Sequence, residues 1–230
     1  ACSSPTGPAF EGAQISSGQR AAVGAIERVR IDRDTLEPRF RVIGCELWSD
    51  EPGFLEAVQG FGVTGICGSG IIEAVAEMFL AGIISPDGAI DGELSNTNPR
   101  VFEDGRTFSY TLHYSETDII VSQTDVRQIQ LAKAALYAGI KLLMDKMGVK
   151  ETERIRLAGA FGSHISTEHA MLIGLLPDCD VGNVSSAGNS AGTGARIALL
   201  SVKGREEIED VVRRIEKVET AVESNFQPFR

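Results

Sequence analysis

Leu157-Ala158-Gly159-Ala160-Phe161-Gly162 contains a glycine-rich loop that directly follows a short apolar segment, Arg156-Leu157-Ala158. The segment predicts a buried strand, and a short helical pattern follows from Glu168 to Leu175. Glycine lets backbone N–H groups approach an anion closely, and the N-terminus of a helix adds a partial positive charge. This strand–loop–helix unit therefore favours either an anion-binding turn or close packing of a helix on a strand.

Three further stretches combine small residues, glycines and the start of a helix: Ser3 to Gly12, Gly65 to Gly70 and Gly182 to Gly194. Tight packing explains any one such loop, but four in one chain favour a shared site. Converging loops would hold a nucleotide phosphate without many basic side chains. The Walker pattern G-x-x-x-x-G-K-[ST] is absent, and no G-x-G-x-x-G follows a strand, which excludes the common P-loop and Rossmann classes.

Hydrophobic periodicity predicts strands in the first half of the chain and alternating helices and strands in the second. The predicted strands are 25–31, 40–47, 108–114 and 118–121, and the predicted helices include 71–80, 123–147 and 205–222. For helix 123–147, Thr124 and Asp125 are candidate N-caps and Gly148 is the stop. This order is typical of α/β or α+β architecture, and we predict one domain over residues 1–230.

The composition is that of a globular chain, with 43% hydrophobic and 23% charged residues among 230. No apolar run approaches the roughly 20 residues of a membrane helix, so we predict no membrane partner. A net charge of −10 makes general binding of nucleic acid a poor hypothesis, and we predict no nucleic-acid partner.

The four cysteines are scattered and form no C-x-x-C pair, so we predict no metal site and a reducing, cytoplasmic location. Ser69 lies in Cys67-Gly68-Ser69-Gly70, which lacks the G-x-S-x-G pattern of a nucleophile elbow. Glu11 is the one acid inside the first loop, where it could orient water or magnesium or cap a helix. It is a weak catalytic candidate, and the sequence offers no stronger one.

Six motifs occur in order along the chain, and together they carry a resemblance. They are Cys2-Ser3-Ser4-Pro5-Thr6-Gly7-Pro8-Ala9-Phe10-Glu11-Gly12-Ala13, Gly65-Ile66-Cys67-Gly68-Ser69-Gly70-Ile71-Ile72, Leu131-Ala132-Lys133-Ala134-Ala135, Leu157-Ala158-Gly159-Ala160-Phe161-Gly162, Ile173-Gly174-Leu175-Leu176-Pro177 and Val181-Gly182-Asn183. This series resembles the reductive activators of corrinoid proteins, and the resemblance covers nearly the whole chain.

The resemblance implies an α/β fold of the actin-like ATPase (ASKHA, ribonuclease H-like) type, with a five-stranded mixed sheet flanked by helices, one strand of which is expected from the missing upstream segment. It implies ATP and Mg²⁺ as cofactors, a corrinoid protein as partner and a homodimer. In this family the domain ends a longer protein that carries an N-terminal [2Fe–2S] domain, and ATP hydrolysis is coupled to reduction of Co(II) corrinoid to Co(I). The cluster cysteines and an upstream D-I-G-T-N strand are absent here, so we expect an incomplete fragment without independent activity.

The resemblance also implies roles for individual residues. The loop 159–162 takes the place that approaches the adenosine in actin-like folds, and Gln130 and Lys133 have the i, i+3 spacing of the E-x-x-K pair that holds adenine and ribose in heat-shock 70 chaperones. The residues expected to contact the nucleotide are Gly7, Gly68, Ser69, Gly70, Gln130, Lys133, Gly159, Ala160, Phe161 and Gly162. Two alternatives stay open: a small-molecule kinase of the same fold, and a non-catalytic docking or dimerisation module.

Overall fold

The computed structural model describes residues 1–220, apart from the side chain of Ala160, as a mixed α/β architecture. The strands are β1 Ala25–Ile31, β2 Pro38–Val42, β3 Gly65–Ile66, β4 Val101–Asp104, β5 Thr107–His113, β6 Ile119–Ser122, β7 Ile155–Ala158 and β8 Val184–Gly188. The α-helices are α1 Phe54–Val58, α2 Gly68–Leu80, α3 Gln123–Met147, α4 Ala160–His164, α5 Thr167–Leu172, α6 Ser190–Leu200 and α7 Val202–Arg214. Short 3-10 turns cover Ala9–Glu11, Gly92–Asn96 and Val181–Asn183.

The strands form three small sheets within the described residues, with orders β2-β1-β3, β4-β5-β6 and β7-β8. The expected mixed α/β architecture with helices flanking the sheets is confirmed, but the strands of this part of the chain are divided among three sheets. One reason lies at β3, whose outer side is already occupied: Ile66 N–H donates to the carbonyl of Ser17, and the Gln19 N–H donates to the carbonyl of Ile66. The predicted strands 25–31, 108–114 and 118–121 are confirmed to within two residues at each end.

Helix α2 is buried along almost its whole length and lies against β1. Such a helix is normally apolar all round, yet α2 carries two buried glutamates one turn apart. Glu73 Oε2 accepts the N–H of Val29 at 3.0 Å, and Glu77 Oε2 accepts the N–H of Ile31 at 3.2 Å. These amides lie beyond Ala25 and Ile26, the two residues of β1 that pair with β3. The carboxylates therefore take the place of a neighbouring strand along this edge of β1.

The charge of Glu73 is balanced by two arginines of β1. Arg28 donates to Oε1 at 2.8 Å and Arg30 donates to Oε2 at 2.7 Å, while the Glu73 side chain is fully buried. A buried carboxylate is tolerated only when its oxygens are paired and hydrogen-bonded, which this arrangement achieves. The two arginines keep about a third of their side-chain surface in solvent.

Helix α3 spans the predicted residues 123–147, but its N-cap differs from the prediction. Ser122, rather than Thr124 or Asp125, is the N-cap: its hydroxyl accepts the N–H of Asp125, and Asp125 accepts the N–H of Ser122 in return. This reciprocal capping box satisfies two donors of the first turn. The predicted stop is confirmed, since Gly148 adopts a left-handed conformation with φ of 65°.

The last third of the chain departs most from the sequence expectations. The predicted loop 182–194 contains β8, which pairs in parallel with β7. Strand β7 was expected to be buried, but Arg156 and Ala158 are exposed, because β7 lies in a two-stranded sheet in the described residues. The helix expected over 205–222 ends at Arg214, since Val218 pairs instead with the chain start and donates to the carbonyl of Ala1. Its predicted end, Val222, lies outside the described residues.

We expect Glu73→Gln to destabilise the fold by about 1–3 kcal/mol, because the neutral amide leaves two guanidinium groups without their charged acceptor. Glu206→Gln is the matched control, since Glu206 is exposed on α7 and its loss should cost less than about 0.5 kcal/mol. Urea unfolding followed by circular dichroism measures both changes. Equal midpoints for the two variants would show that the carboxylate contributes nothing to the packing of α2.

Candidate functional site

Three of the four small-residue loops meet at the start of α2. The ring of Phe10, from the first loop, stacks on the ring of Phe161, from the loop after β7, with centroids 5.9 Å apart. Between them lies Gly68, the first residue of α2. A Cβ on Gly68 would lie 1.8 Å from the carbonyl oxygen of Phe10 and 3.2 Å from the ring of Phe161. The convergence expected from the sequence is therefore present in the structure.

The fourth small-residue loop, 182–194, joins the other three through the pairing of β7 with β8. Both strands run in parallel, and each ends at a glycine in a left-handed conformation, Gly159 after β7 and Gly188 at the end of β8. The Gly159 N–H donates to the carbonyl of Gly188 at 2.8 Å. Ser186 and Ser163 add a hydroxyl–hydroxyl bond of 3.1 Å between the same segments. In open α/β sheets ligands bind at this carboxyl end of parallel strands.

The N-terminus of α2 carries backbone donors that have no acceptor among the described residues. The N-cap residue is Cys67, whose side chain makes no capping bond, and the first N–H bonded back to this turn is that of Ile71. The N–H groups of Gly68, Ser69 and Gly70 are thus left without a partner in this part of the chain, although all three residues are buried. A buried helix start without capping groups is typical of a site completed by an anion.

The predicted contact residues divide into packed and open glycines. Gly68 and Gly70 are packed, since a Cβ at Gly70 would lie 2.2 Å from the carbonyl oxygen of Ile26. Gly7 and Gly159 are open: both have positive φ, and a Cβ there would meet no described atom within 4 Å. The backbone at Gly7 and Gly159 is therefore accessible to a ligand. Gly68 and Gly70 instead allow α2 to pack closely against its neighbours.

Ser69 and Gly162 also have protein neighbours. The Ser69 hydroxyl lies 3.3 Å from the thiol of Cys67, and a Cβ on Gly162 would lie 2.9 Å from the Cβ of Leu157. Both residues therefore fix the shape of their loops. Their contact with a nucleotide stays a prediction, as does that of Ala160, which begins α4.

Gln130 and Lys133 lie on the same helix, but the structure directs each toward a different protein partner. The Gln130 amide donates to the carbonyl of Asp87 at 3.0 Å. The Lys133 ammonium donates to the carbonyl of Ile173 at 2.6 Å, just after α5, and burial lowers its pKa from the ordinary value. Lys133 is half-buried rather than solvated, so it also joins α3 to α5. Nucleotide contact by this pair stays a prediction.

Glu11 lies in the 3-10 turn beside Phe10, exposed and without a side-chain hydrogen bond among the described residues. The turn has no side-chain cap, so the capping role considered for Glu11 is not seen. Among the described residues, its carboxylate therefore has no bonding partner, next in sequence to Phe10.

Sequence reasoning missed a buried chain of hydrogen-bonded side chains between α2 and α5. His169 on α5 lies within hydrogen-bond distance of Glu77 on α2 and of Ser166, with Nε2 to Oε1 at 2.7 Å and Nδ1 to Oγ at 2.6 Å. Burial alone would raise the pKa of Glu77, but hydrogen bonds from His169 and the Ile31 N–H, with the charges of His169 and Arg30, hold it below the usual range. A signal existed: two glutamates four residues apart in an otherwise apolar helix.

Two broader properties follow from the described part of the chain. No group of three or more His, Cys, Asp or Glu side chains comes together there in an arrangement that could hold a metal ion. No helix in that part has both the length and the apolar character to cross a bilayer.

The mixed α/β architecture, with sheets flanked by helices, agrees with the actin-like ASKHA class, to which the family match and a solved relative assign the chain. The chain matches the family described as the C-terminal domain of RACo, the ASKHA domain, over residues 1–229. The chain therefore belongs to this family.

Similar proteins share this assignment. The chain is 37% identical over 238 residues to the corrinoid activation enzyme RamQ of Eubacterium limosum, covering 98% of this chain and 37% of that protein. It is 24% identical over 222 residues to the Co(II) methylated amine-specific corrinoid protein reductase of Methanosarcina barkeri, covering 93% and 37%. A solved structure, the reductive activator for corrinoid, iron-sulfur protein, matches with a TM-score of 0.82 and 34% identity, covering 98% of this chain and 34% of that one. The chain thus spans 34–37% of the length of these proteins.

We expect Gly70→Ala to destabilise the fold by about 1–3 kcal/mol, because the added methyl group collides with the backbone of β1. Gly194→Ala is the matched control: Gly194 lies in α6 with no described atom within 4 Å of its Cβ position. That substitution should stabilise by about 0.4–1 kcal/mol. Thermal unfolding distinguishes the two, and similar shifts would mean that α2 is not held tightly against β1.

Proposed function

We propose that this chain is the nucleotide-binding domain of a corrinoid activator and that it binds ATP with Mg²⁺ where the four loops converge. The observation that carries the proposal is the N-terminus of α2, where three backbone N–H groups of buried residues lack an acceptor among the described residues. Phosphate oxygens are acceptors of the required charge and size.

The electrostatics of the chain support this choice of binding mode. With a net charge of −10, the protein has no general attraction for a polyphosphate. Backbone N–H groups and the partial positive charge of α2 supply local attraction that does not depend on basic side chains. Gly7 and Gly159 fit the same role, because their open, left-handed backbone leaves room for a ligand beside the first and third loops.

The adenosine side of the site is proposed at the loop 159–162, where Phe161 presents a ring that is 39% exposed. Its stacking on Phe10 ties the third loop to the first, so a nucleotide bound there would touch both. Gln130 and Lys133 on α3 are also proposed to contact the nucleotide. Lys133 would then be shared between the nucleotide and the carbonyl of Ile173.

Glu11 is the proposed group for magnesium or water at this site. Its carboxylate lies next to Phe10 in sequence, and no described residue bonds to it. Oxygen ligands are what Mg²⁺ prefers, usually one or two carboxylates together with phosphates and water. ATP bound there supplies a transferable phosphoryl group, and the residues of this chain hold and orient it.

The role in corrinoid activation rests on the relatives, which are named as a corrinoid activation enzyme, a corrinoid protein reductase and a reductive activator. Reducing Co(II) to Co(I) is a low-potential step, and nucleotide turnover can bias such a step by shifting a partner between conformations. The described cysteines do not come together as cluster ligands, so we assign no electron-transfer step to this chain. The corrinoid protein as partner, the homodimer and the cytoplasmic location stay predictions.

In the full-length protein, Gly159→Val should lower the affinity for ATP at least tenfold, which corresponds to about 1.4 kcal/mol of binding free energy. Calorimetric titration in the presence of Mg²⁺ measures this change. A branched side chain at the open, left-handed Gly159 fills the space above the loop and strains its backbone. Gly60→Val is the matched control, because Gly60 is exposed, has ordinary φ and lies outside the four loops.

Circular dichroism must first show that both variants fold. If a folded Gly159→Val protein binds ATP with normal affinity, the loop serves only for packing, and the proposed site is contradicted.

A further inference from the structure

We propose that His169 is a positioning residue that fixes the third loop of the site, 159–163, through its bond to Glu77; this rests on the proposed nucleotide site. His169 is 6% exposed and Glu77 8%, so the pair is shielded from water and does not touch a ligand itself. Its two ring nitrogens join α5 on one side to α2 on the other.

Hydrogen-bond chemistry determines which atom donates between His169 and Glu77. Carboxylate Oε1 of Glu77 only accepts, so Nε2 of His169 carries the proton between them, across 2.7 Å. The other ring nitrogen, Nδ1, shares a hydrogen bond with the hydroxyl of Ser166 across 2.6 Å, as acceptor in the neutral ring and as donor in the charged ring. The Ser166 oxygen is at the same time the N-cap of α5 and accepts the backbone N–H of His169. One imidazole therefore joins the start of α5 to the last turn of α2.

Glu77 is a rigid anchor for this bond because it is held from two further sides. Its other oxygen accepts the N–H of Ile31 in β1, and the Arg30 guanidinium lies 3.8 Å from Oε1. The neighbouring Glu73 fixes the same stretch of α2 to Val29. The position of His169 is thus set by the sheet and not by α5 alone.

Helix α5 needs such an anchor, since six residues do not form a stable helix without tertiary contacts. Helix α4, which carries Phe161, precedes it with only Ile165 and Ser166 between, and the Ile165 N–H bonds to the Phe161 carbonyl at 3.1 Å. A shift of α5 therefore moves Phe161 relative to Phe10 and Gly68. In this way the His169–Glu77 bond sets the geometry at which the third loop meets the other loops.

Two substitutions of similar size distinguish the contribution of Nε2 from that of Nδ1. A glutamine amide reaches about as far as Nε2, and an asparagine amide about as far as Nδ1. His169→Gln can keep the bond to Glu77, whereas His169→Asn keeps only the bond toward Ser166. Tyr110→Phe is the control for general destabilisation, because it removes a buried hydroxyl bonded to the carbonyl of Leu36, away from the loops.

Amide hydrogen exchange of the ligand-free, full-length protein is the first readout. We expect His169→Asn to speed exchange at residues 159–166 at least tenfold, with His169→Gln within threefold of the unmodified protein and Tyr110→Phe unchanged there. ATP titration is the second readout, in which His169→Asn should raise Kd at least fivefold and His169→Gln should recover most of the affinity. Should His169→Asn not fold, Glu77→Gln weakens the same bond by removing its charge, and both readouts apply to it.

The outcomes separate the two proposals. Unchanged exchange at 159–166 in His169→Asn, or equal effects of the Asn and Gln variants, overturns the positioning role. An unmodified protein that binds no ATP overturns the proposed function, while the exchange measurement still decides whether His169 fixes the loop.

Discussion

Two buried carboxylates that complete one edge of a strand determine how this domain is assembled. Glu73 and Glu77 on α2 accept the N–H groups of Val29 and Ile31, which would otherwise be buried donors without acceptors. Leaving such a group unpaired costs about 1–3 kcal/mol, and bonds to charged acceptors are among the stronger ones. These bonds fix the position of α2 along β1. The ion pairs from Arg28 and Arg30 to Glu73 act in the same direction, whereas the apolar contacts around them are non-directional.

The site depends on this placement of α2. Gly68 and Gly70 allow the helix start to approach the backbones of Phe10 and Ile26, which sets the distance between the first two loops. Phe161 then joins the third loop, and the β7–β8 pair joins the fourth. Backbone donors are thereby collected in an acidic chain that has little other means of holding phosphate. The family is described as the ASKHA domain, which suggests nucleotide binding in general.

The sequence predicted the parts of the fold that local patterns determine. The approximate bounds 123–147 of α3 are confirmed although its N-cap was predicted wrongly, because the apolar period and the stop at Gly148 are local signals. Strand β8 was missed, since Val-Ser-Ser-Ala-Gly has no alternation of apolar and polar residues. The division into sheets depends partly on distant pairings, such as β1 with β3, and the bonds of Glu73 and Glu77 to β1 join residues 44 and 46 positions apart. For the site, the loops and their convergence were predicted, but the bond from Lys133 to the carbonyl of Ile173 was not foreseen and His169 was given no partner.

A structure of the full-length protein with a non-hydrolysable ATP analogue and Mg²⁺ tests the central claim most directly. The account predicts phosphate oxygens within about 2.7–3.2 Å of the backbone nitrogens of Gly68, Ser69 and Gly70, with the nucleotide in contact with the loop at Gly159. It is contradicted if the analogue binds elsewhere, or if a protein group from outside this chain already accepts those three N–H groups.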